Sequence, residues 1–218
     1  MKSLPLLLAA ASIVFFSNTG IAQGTKDPKA QEILKGVSAK YKSMKSLSAT
    51  FKITTLDQKD KSTSTQTGSL IVKGDKYKLT LKGQEVIGDG TTTWTYLKES
   101  NEVQINDGSE KPDGISPTTI FTIYEKGFAT KYIGEKKEGT KTLQQIELVP
   151  DDQKKNYFKI QLFIDKDQKI VNNAKIFNKN GTNFMYAIEQ FKMNVDAPET
   201  MFTFDQSKYP GVEVVDLR

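Results

Sequence analysis

The sequence predicts a mainly β (α+β) fold, in which a curled antiparallel sheet of about eleven strands is covered by an N-terminal amphipathic helix and a second, short helix. Three observations predict it. Apolar residues recur at helical spacing early in the chain, and they alternate with polar residues over most of the remainder. Asp-Gly and Asn-Gly pairs separate some of these runs, as in tight hairpins. Because a long meander exposes its edges, we expect the sheet to curl and the helices to pack on its concave side.

The first residues have the pattern of a secretory signal peptide. Lys2 precedes an apolar run over residues 4–16, and Gly20 and Ala22 supply the small residues of a cleavage site. The run is too short for a membrane span, which needs about 20 residues. We therefore predict cleavage near Ala22, a single domain over residues 23–218, and a periplasmic location.

The next segment predicts one long helix. Asp27 suits the N-cap and Pro28 suits the first helical position. The apolar positions that follow fall on one helical face: Ala30, Ile33, Leu34, Val37, Tyr41 and Met44.

Alternating residues predict the strands, which are expected to follow one another in a meander. The runs are residues 47–53, 68–73, 77–81, 86–87, 92–96, 103–105, 128–134, 143–149, 158–164, 170–177 and 184–193, with 212–215 as a further short candidate.

The middle of the chain breaks this alternating pattern. Residues 106–117 are rich in Gly, Asp, Ser and Pro, which is typical of a loop. Ser116 and Pro117 then begin the predicted short apolar helix.

Composition argues against several functional classes. The chain has no Cys and no His, so the usual zinc sites, disulfides and Ser-His-Asp or Cys-His nucleophiles are ruled out, and we predict a protein that is not an enzyme and binds no metal or cofactor. Its net charge of +5 comes almost entirely from dispersed lysines, which does not indicate nucleic-acid binding. Asp165 and Asp167 resemble the start of a calcium loop, but the motif is incomplete and a turn is favoured.

Four blocks of sequence have a characteristic order and spacing. They are YKSMKSLSATFK at residues 41–52, GSLIVKGDKYKL at 68–79, IGDGTTTWTY at 87–96, and the C-terminal run that contains FNKNGTNFMYAIEQFKMN at 177–194, MFTFD at 201–205 and YPGVEVVDL at 209–217. Together these blocks resemble the LolA family of periplasmic lipoprotein carriers. The resemblance implies a half-open antiparallel barrel closed by a helical lid. It departs from the family at residues 72–76, where many relatives have an Arg-Pro whose Arg holds the lid. Here Lys73 or Gly74 occupies that place.

The resemblance also implies a function and partners. A monomeric carrier would accept the acyl chains of a lipoprotein from an inner-membrane ABC transporter and deliver them to the outer membrane, often through a receptor. The alternatives are a carrier of another lipid or lipid-linked precursor, and a lipoprotein-sensing regulatory domain. Inward-facing residues predicted to form the wall of the acyl cavity are Phe51, Ile53, Leu70, Val72, Leu79, Trp94 and Tyr96, and those predicted to form the lid are Ile120, Phe121 and Tyr124.

Overall fold

A computed structural model of the protein describes residues 26–108 and 118–218. The predicted signal peptide, and the Ser116 and Pro117 of the predicted lid helix, lie outside these residues. The elements in chain order are α1 (Pro28–Lys42), β1 (Leu47–Asp57), β2 (Thr63–Lys73), β3 (Lys76–Leu81), β4 (Gln84–Gly88), β5 (Thr92–Leu97), β6 (Glu102–Asp107), β7 (Phe128–Glu138), β8 (Lys141–Pro150), β9 (Tyr157–Asp165), β10 (Ile170–Asn178), β11 (Thr182–Met193) and β12 (Glu213–Asp216). Short 3-10 helices span Ile123–Glu125, Glu199–Phe202 and Gln206–Lys208.

The strands form one curled, unclosed sheet, which confirms the predicted fold class. Its 12 strands are ordered β12-β6-β5-β4-β3-β2-β1-β11-β10-β9-β8-β7. The meander prediction holds for β1–β6 and for β7–β11, but these two halves meet through β1 and β11, so β6 and β7 lie near opposite edges. The last strand also departs from the antiparallel prediction, because β12 pairs in parallel with β6.

The helix α1 begins where the sequence predicts. The Asp27 side chain accepts hydrogen bonds from the backbone N–H groups of Lys29 and Ala30 at 2.9 and 3.3 Å. Its other carboxylate oxygen accepts one from the Tyr132 N–H at 3.0 Å, which ties the helix start to β7. Ala30, Leu34 and Val37 are buried against the sheet. Because this apolar face covers the concave side of β7–β11, that half of the barrel is filled by its own side chains.

Strand register shows which side chains share a face, since directly paired residues point the same way. One row on the concave side runs from β1 to β6 through Ala49, Leu70, Leu79, Val86, Thr95 and Gln104. The neighbouring row on the convex side runs through Ser48, Ile71, Lys78, Ile87, Trp94 and Ile105. The apolar side chains therefore lie on the concave face at β1–β3 and on the convex face at β5–β6.

The C-terminal segment explains this reversal. It leaves β11 and crosses the outside of the sheet, where Phe202 is buried to 1% exposure and Ala197 and Val212 are also buried. Lys73 and Lys76 both bond the Glu199 carboxylate and hold the start of the segment on the sheet. We call residues 195–217 the strap. The strap lies on the outer face of the sheet, and the apolar residues Ile87, Trp94 and Ile105 of β4–β6 point outward on that face.

Candidate ligand cleft

A cleft of about 680 Å³ opens at one end of the half-barrel, between the C-terminal end of α1, the β2–β3 turn and residues 118–125. Its apolar lining comes from three parts of the chain: Tyr41 and Met44 at the end of the helix, Leu47, Val72 and Tyr77 on the sheet, and Phe121. Lys42, Lys45, Asp75, Lys76 and Glu125 supply charged groups to the same cleft. A volume in the range of about 300–1,000 Å³ with an apolar lining is typical of a small-molecule site.

Residues 118–125 cross the concave side and form the inner cover of the half-barrel, which we call the lid. Ile120, Phe121 and Tyr124 are buried, with 2%, 4% and 5% of their surface exposed. The Phe121 ring packs edge-on against Tyr41 with 5.1 Å between ring centroids. The structure thus brings the three predicted lid residues together beneath the mouth of the barrel.

The lid is not the short α-helix that the sequence predicts. Turns are followed by a single 3-10 turn at Ile123–Glu125. Thr118, Thr119, Ile120 and Thr122 explain the difference, because β-branched side chains lose rotamer freedom in a helix and threonine hydroxyls compete for backbone groups. A lid of this kind has few internal hydrogen bonds to break when it moves.

Polar contacts at the surface fasten the lid to α1. The Glu125 carboxylate accepts a hydrogen bond from the Ser38 hydroxyl at 2.8 Å and pairs with the Lys42 ammonium group at 3.2 Å. The Ser38 hydrogen bond, with the charge of Lys42, holds the pKa of Glu125 below its ordinary value. We call these three side chains the latch.

Tyr41 anchors the other side of the cleft. Its hydroxyl accepts a hydrogen bond from the Val171 N–H at 3.0 Å, and burial raises the pKa of this phenol far above its ordinary value. The ring is therefore a fixed, neutral wall, against which Phe121 rests.

Five of the seven predicted wall residues lie on the concave side. Phe51, Ile53, Leu70 and Leu79 are buried in the core, and Val72 is half-buried and lines the cleft. Of these five, Val72 alone lines the cleft, while the other four support it from behind.

The structure places Trp94 and Tyr96 outside the cavity, contrary to the prediction. Both lie on the convex face, and Tyr96 packs against Tyr209 of the strap with 4.5 Å between ring centroids. Alternation in β5 correctly indicated a buried face. It could not indicate that the strap, rather than a ligand, covers that face.

Sequence reasoning missed several residues of the cleft. Tyr77 could have been found, because it continues the alternation that includes Leu79. The role of Lys73 was harder to predict. Its ammonium group donates to the Ala197 carbonyl at 3.0 Å on the convex side, so it holds the strap, whereas the latch residues hold the lid. No short motif marks the latch, because Ser38 and Lys42 lie on α1 and Glu125 is more than eighty residues away.

Within the described residues, no cluster of acidic side chains is arranged to hold a metal ion. None of the described helices is both long enough and apolar enough to span a membrane. Asp165 forms a turn, as predicted, by accepting hydrogen bonds from the N–H groups of Asp167 and Gln168 at 3.1 and 2.9 Å.

Comparison with known proteins identifies a matching family and several similar structures. Residues 42–205 match the family described as outer membrane lipoprotein carrier protein LolA. An uncharacterized conserved protein from Thermus thermophilus has a similar fold, with a TM-score of 0.60, 12% identity, and coverage of 86% of this chain and 99% of that one. A putative outer membrane lipoprotein-sorting protein domain from Vibrio parahaemolyticus gives a TM-score of 0.46 at 16% identity, covering 80% and 96% of the two chains. The lipoprotein LppX of Mycobacterium tuberculosis gives 0.49 at 11% identity, covering 79% and 100%. No curated protein matches the chain.

Proposed function

The chain belongs to the LolA family of outer membrane lipoprotein carrier proteins, and from this premise we propose that it carries the acyl chains of lipoproteins across the periplasm. In this proposal an inner-membrane ABC transporter supplies the lipoprotein, and the outer membrane, through a receptor where one exists, accepts it. The N-terminal residues serve as a secretion signal that is cleaved near Ala22. The carrier acts as a monomer, by binding and release rather than by catalysis.

One observation carries the proposal: the lid places three apolar side chains inside the half-barrel, next to an apolar cleft, and Glu125 joins the lid to α1 through polar contacts at the surface. Each methylene of an acyl chain gains about 0.8 kcal/mol when it leaves water. A carrier must match that gain with an apolar interior and must also release its cargo. A lid whose own side chains occupy the interior can move aside, and the acyl chains then replace Ile120, Phe121 and Tyr124.

A transfer assay tests the proposal. The purified chain is incubated with inner-membrane vesicles that contain the transporter and a labelled lipoprotein, and soluble complex is collected. We expect ATP-dependent release into the soluble fraction, and Phe121→Asp should abolish it because a carboxylate cannot pack beneath the lid. Phe158→Asp makes the same chemical change at a side chain that is 48% exposed, and it should leave release intact.

Mass spectrometry of material that co-purifies with the chain separates the two carrier functions. A triacylated protein supports the lipoprotein carrier. The departure at Lys73, which bonds the strap instead of the lid, favours a carrier of another lipid or lipid-linked precursor as the second candidate. A free lipid in the cleft, together with normal lipoprotein localisation after depletion of the protein, would refute the first candidate in favour of the second.

A further inference from the structure

The wall of the half-barrel is not uniformly apolar. The concave row that passes Leu70 and Leu79 ends at Thr95 on β5 and Gln104 on β6. A second row passes Val72 and Tyr77 and ends at Thr93 and Asn106. The inner surface therefore grades from apolar at β1–β3 to hydrogen-bonding at β5–β6.

The polar region adjoins the cleft through Tyr77. Tyr77 lines the cleft, and its hydroxyl lies 3.4 Å from the hydroxyl of Thr93. Gly88 lies between these two residues in the row, and its missing side chain leaves room for the Tyr77 ring. A ligand that occupies the apolar floor can therefore reach β5 by passing over β4 at Gly88, which has no side chain.

The groups in this region have a defined chemistry. Threonine hydroxyls and the amides of Gln104 and Asn106 both donate and accept hydrogen bonds. The Gln104 amide donates to the Glu102 carboxylate at 2.7 Å. Glu102 is half-buried on the same face, so its negative charge disfavours a phosphate or carboxylate nearby.

From this arrangement we propose that the concave face of β5 and β6 is a polar subsite that hydrogen-bonds the uncharged ester, amide or hydroxyl groups at the head of an acylated ligand. The alkyl chains lie against β1–β3, and the subsite rests on the proposed carrier function. The physical reason is that a ligand entering beneath the lid displaces water from these half-buried polar groups. A ligand that cannot hydrogen-bond to them leaves the groups unsatisfied, which weakens binding.

The test uses Thr95→Val, which removes a hydroxyl at nearly constant volume. Thr80→Val makes the same change on the convex face and is the matched control. Each protein is titrated with N-phenyl-1-naphthylamine, whose fluorescence rises in apolar surroundings, and the probe is then displaced by 1-monopalmitoylglycerol or by palmitate at pH 8. We expect Thr95→Val to weaken monopalmitoylglycerol about 2- to 10-fold and to change the naphthylamine affinity less than twofold. The parent chain should prefer monopalmitoylglycerol to palmitate.

The outcomes separate the subsite from the carrier function. If no protein binds either the probe or the lipids, the carrier proposal itself fails. If the probe and both lipids bind but Thr95→Val affects none of them, or weakens all of them equally, the subsite is overturned while the carrier function stands. A parent chain that prefers palmitate would also overturn the subsite.

Discussion

Replacing Glu125 with alanine tests whether the latch controls access to the interior. The change removes the hydrogen bond from Ser38 and the ion pair with Lys42. Exposed ion pairs contribute about 0–1 kcal/mol, and Lys42 is 73% exposed. A hydrogen bond to a charged group contributes about 1.5–3 kcal/mol at most, less at a surface where water replaces it. We therefore expect a total of about 1–2 kcal/mol, which raises the open-lid population about 5- to 30-fold.

The apolar contacts of the lid set the upper limit of this effect. Burial of each of Ile120, Phe121 and Tyr124 stabilises the closed state by about 1.5–3 kcal/mol, which exceeds the latch contribution. The alanine variant should therefore remain mostly closed, and its free energy of unfolding should fall by the same amount of about 1–2 kcal/mol. The latch therefore lowers the fraction of molecules with an open lid, while apolar packing keeps the lid closed in most molecules.

Amide hydrogen exchange measures this opening directly. The N–H groups of Thr122, Ile123 and Glu125 donate to carbonyls within the lid. These isolated turns are stabilised by packing on the barrel, so we expect their amides to exchange when the lid opens and that packing is lost. In Glu125→Ala they should exchange about 5- to 30-fold faster. Amides of β1 that exchange only through global unfolding should remain much slower than those of the lid in both proteins. Glu125→Gln keeps an acceptor for Ser38 and should give a smaller increase. Equal lid exchange in the parent and in Glu125→Ala would refute the reasoning.

The latch also predicts a dependence on pH. Because the pKa of Glu125 is lowered in the folded chain, its contribution is fully present above the ordinary glutamate value of about 4.3 and is lost as pH falls through the folded value. The exchange rate of the lid amides, divided by their intrinsic exchange rate at each pH, should be constant from pH 8 to 5 and rise below about pH 4. The Glu125→Ala variant should lack this rise, and its persistence there would assign the rise to another group.

Three further substitutions test the two faces of the sheet. Phe202→Ala should destabilise the chain by about 3–5 kcal/mol in urea unfolding, because the side chain is 1% exposed beneath the strap, and a loss under about 1 kcal/mol would mean that the strap packs loosely. Trp94→Phe should leave acyl-chain affinity within twofold of the parent, since Trp94 lies outside the cavity. A tenfold loss of affinity would indicate that Trp94 lines the cavity after all. Gly88→Ala should weaken ligand binding by pushing the Tyr77 ring into the cleft, whereas Gly83→Ala, which has open space around it, should not.

Much of the fold follows from local patterns in the sequence. Asp27 and Pro28 mark the start of α1, and Gly90 and Gly181 adopt the positive φ values of 98° and 91° that their hairpin turns require. The alternation of β1 predicts that Phe51 and Ile53 are buried together, as they are. These features are predictable because each depends on neighbours within a few residues.

The candidate site was less predictable because it depends on contacts between distant segments. Val72, Phe121 and Tyr124, which the sequence predicts as wall and lid residues, lie on the concave side of the sheet, and their contact with a ligand stays a prediction. Trp94 and Tyr96 were assigned to the wrong side of the sheet. Nothing within their own strand distinguishes a face covered by the strap from a face covered by a lid.

The sequence by itself determined that each strand has one apolar face, that a helix begins at Asp27, and that the usual zinc sites and His-dependent nucleophiles are impossible without Cys and His. Only the tertiary structure decided which way each apolar face points, and hence that the inner wall turns polar at β5–β6. The physical reason is that side chains alternate between the two faces of a strand, which shows that one face is apolar but not whether that face is concave or convex. The layer that covers the strand decides this. For β5 that layer is formed by residues more than a hundred positions away, such as Tyr209, which packs on Tyr96.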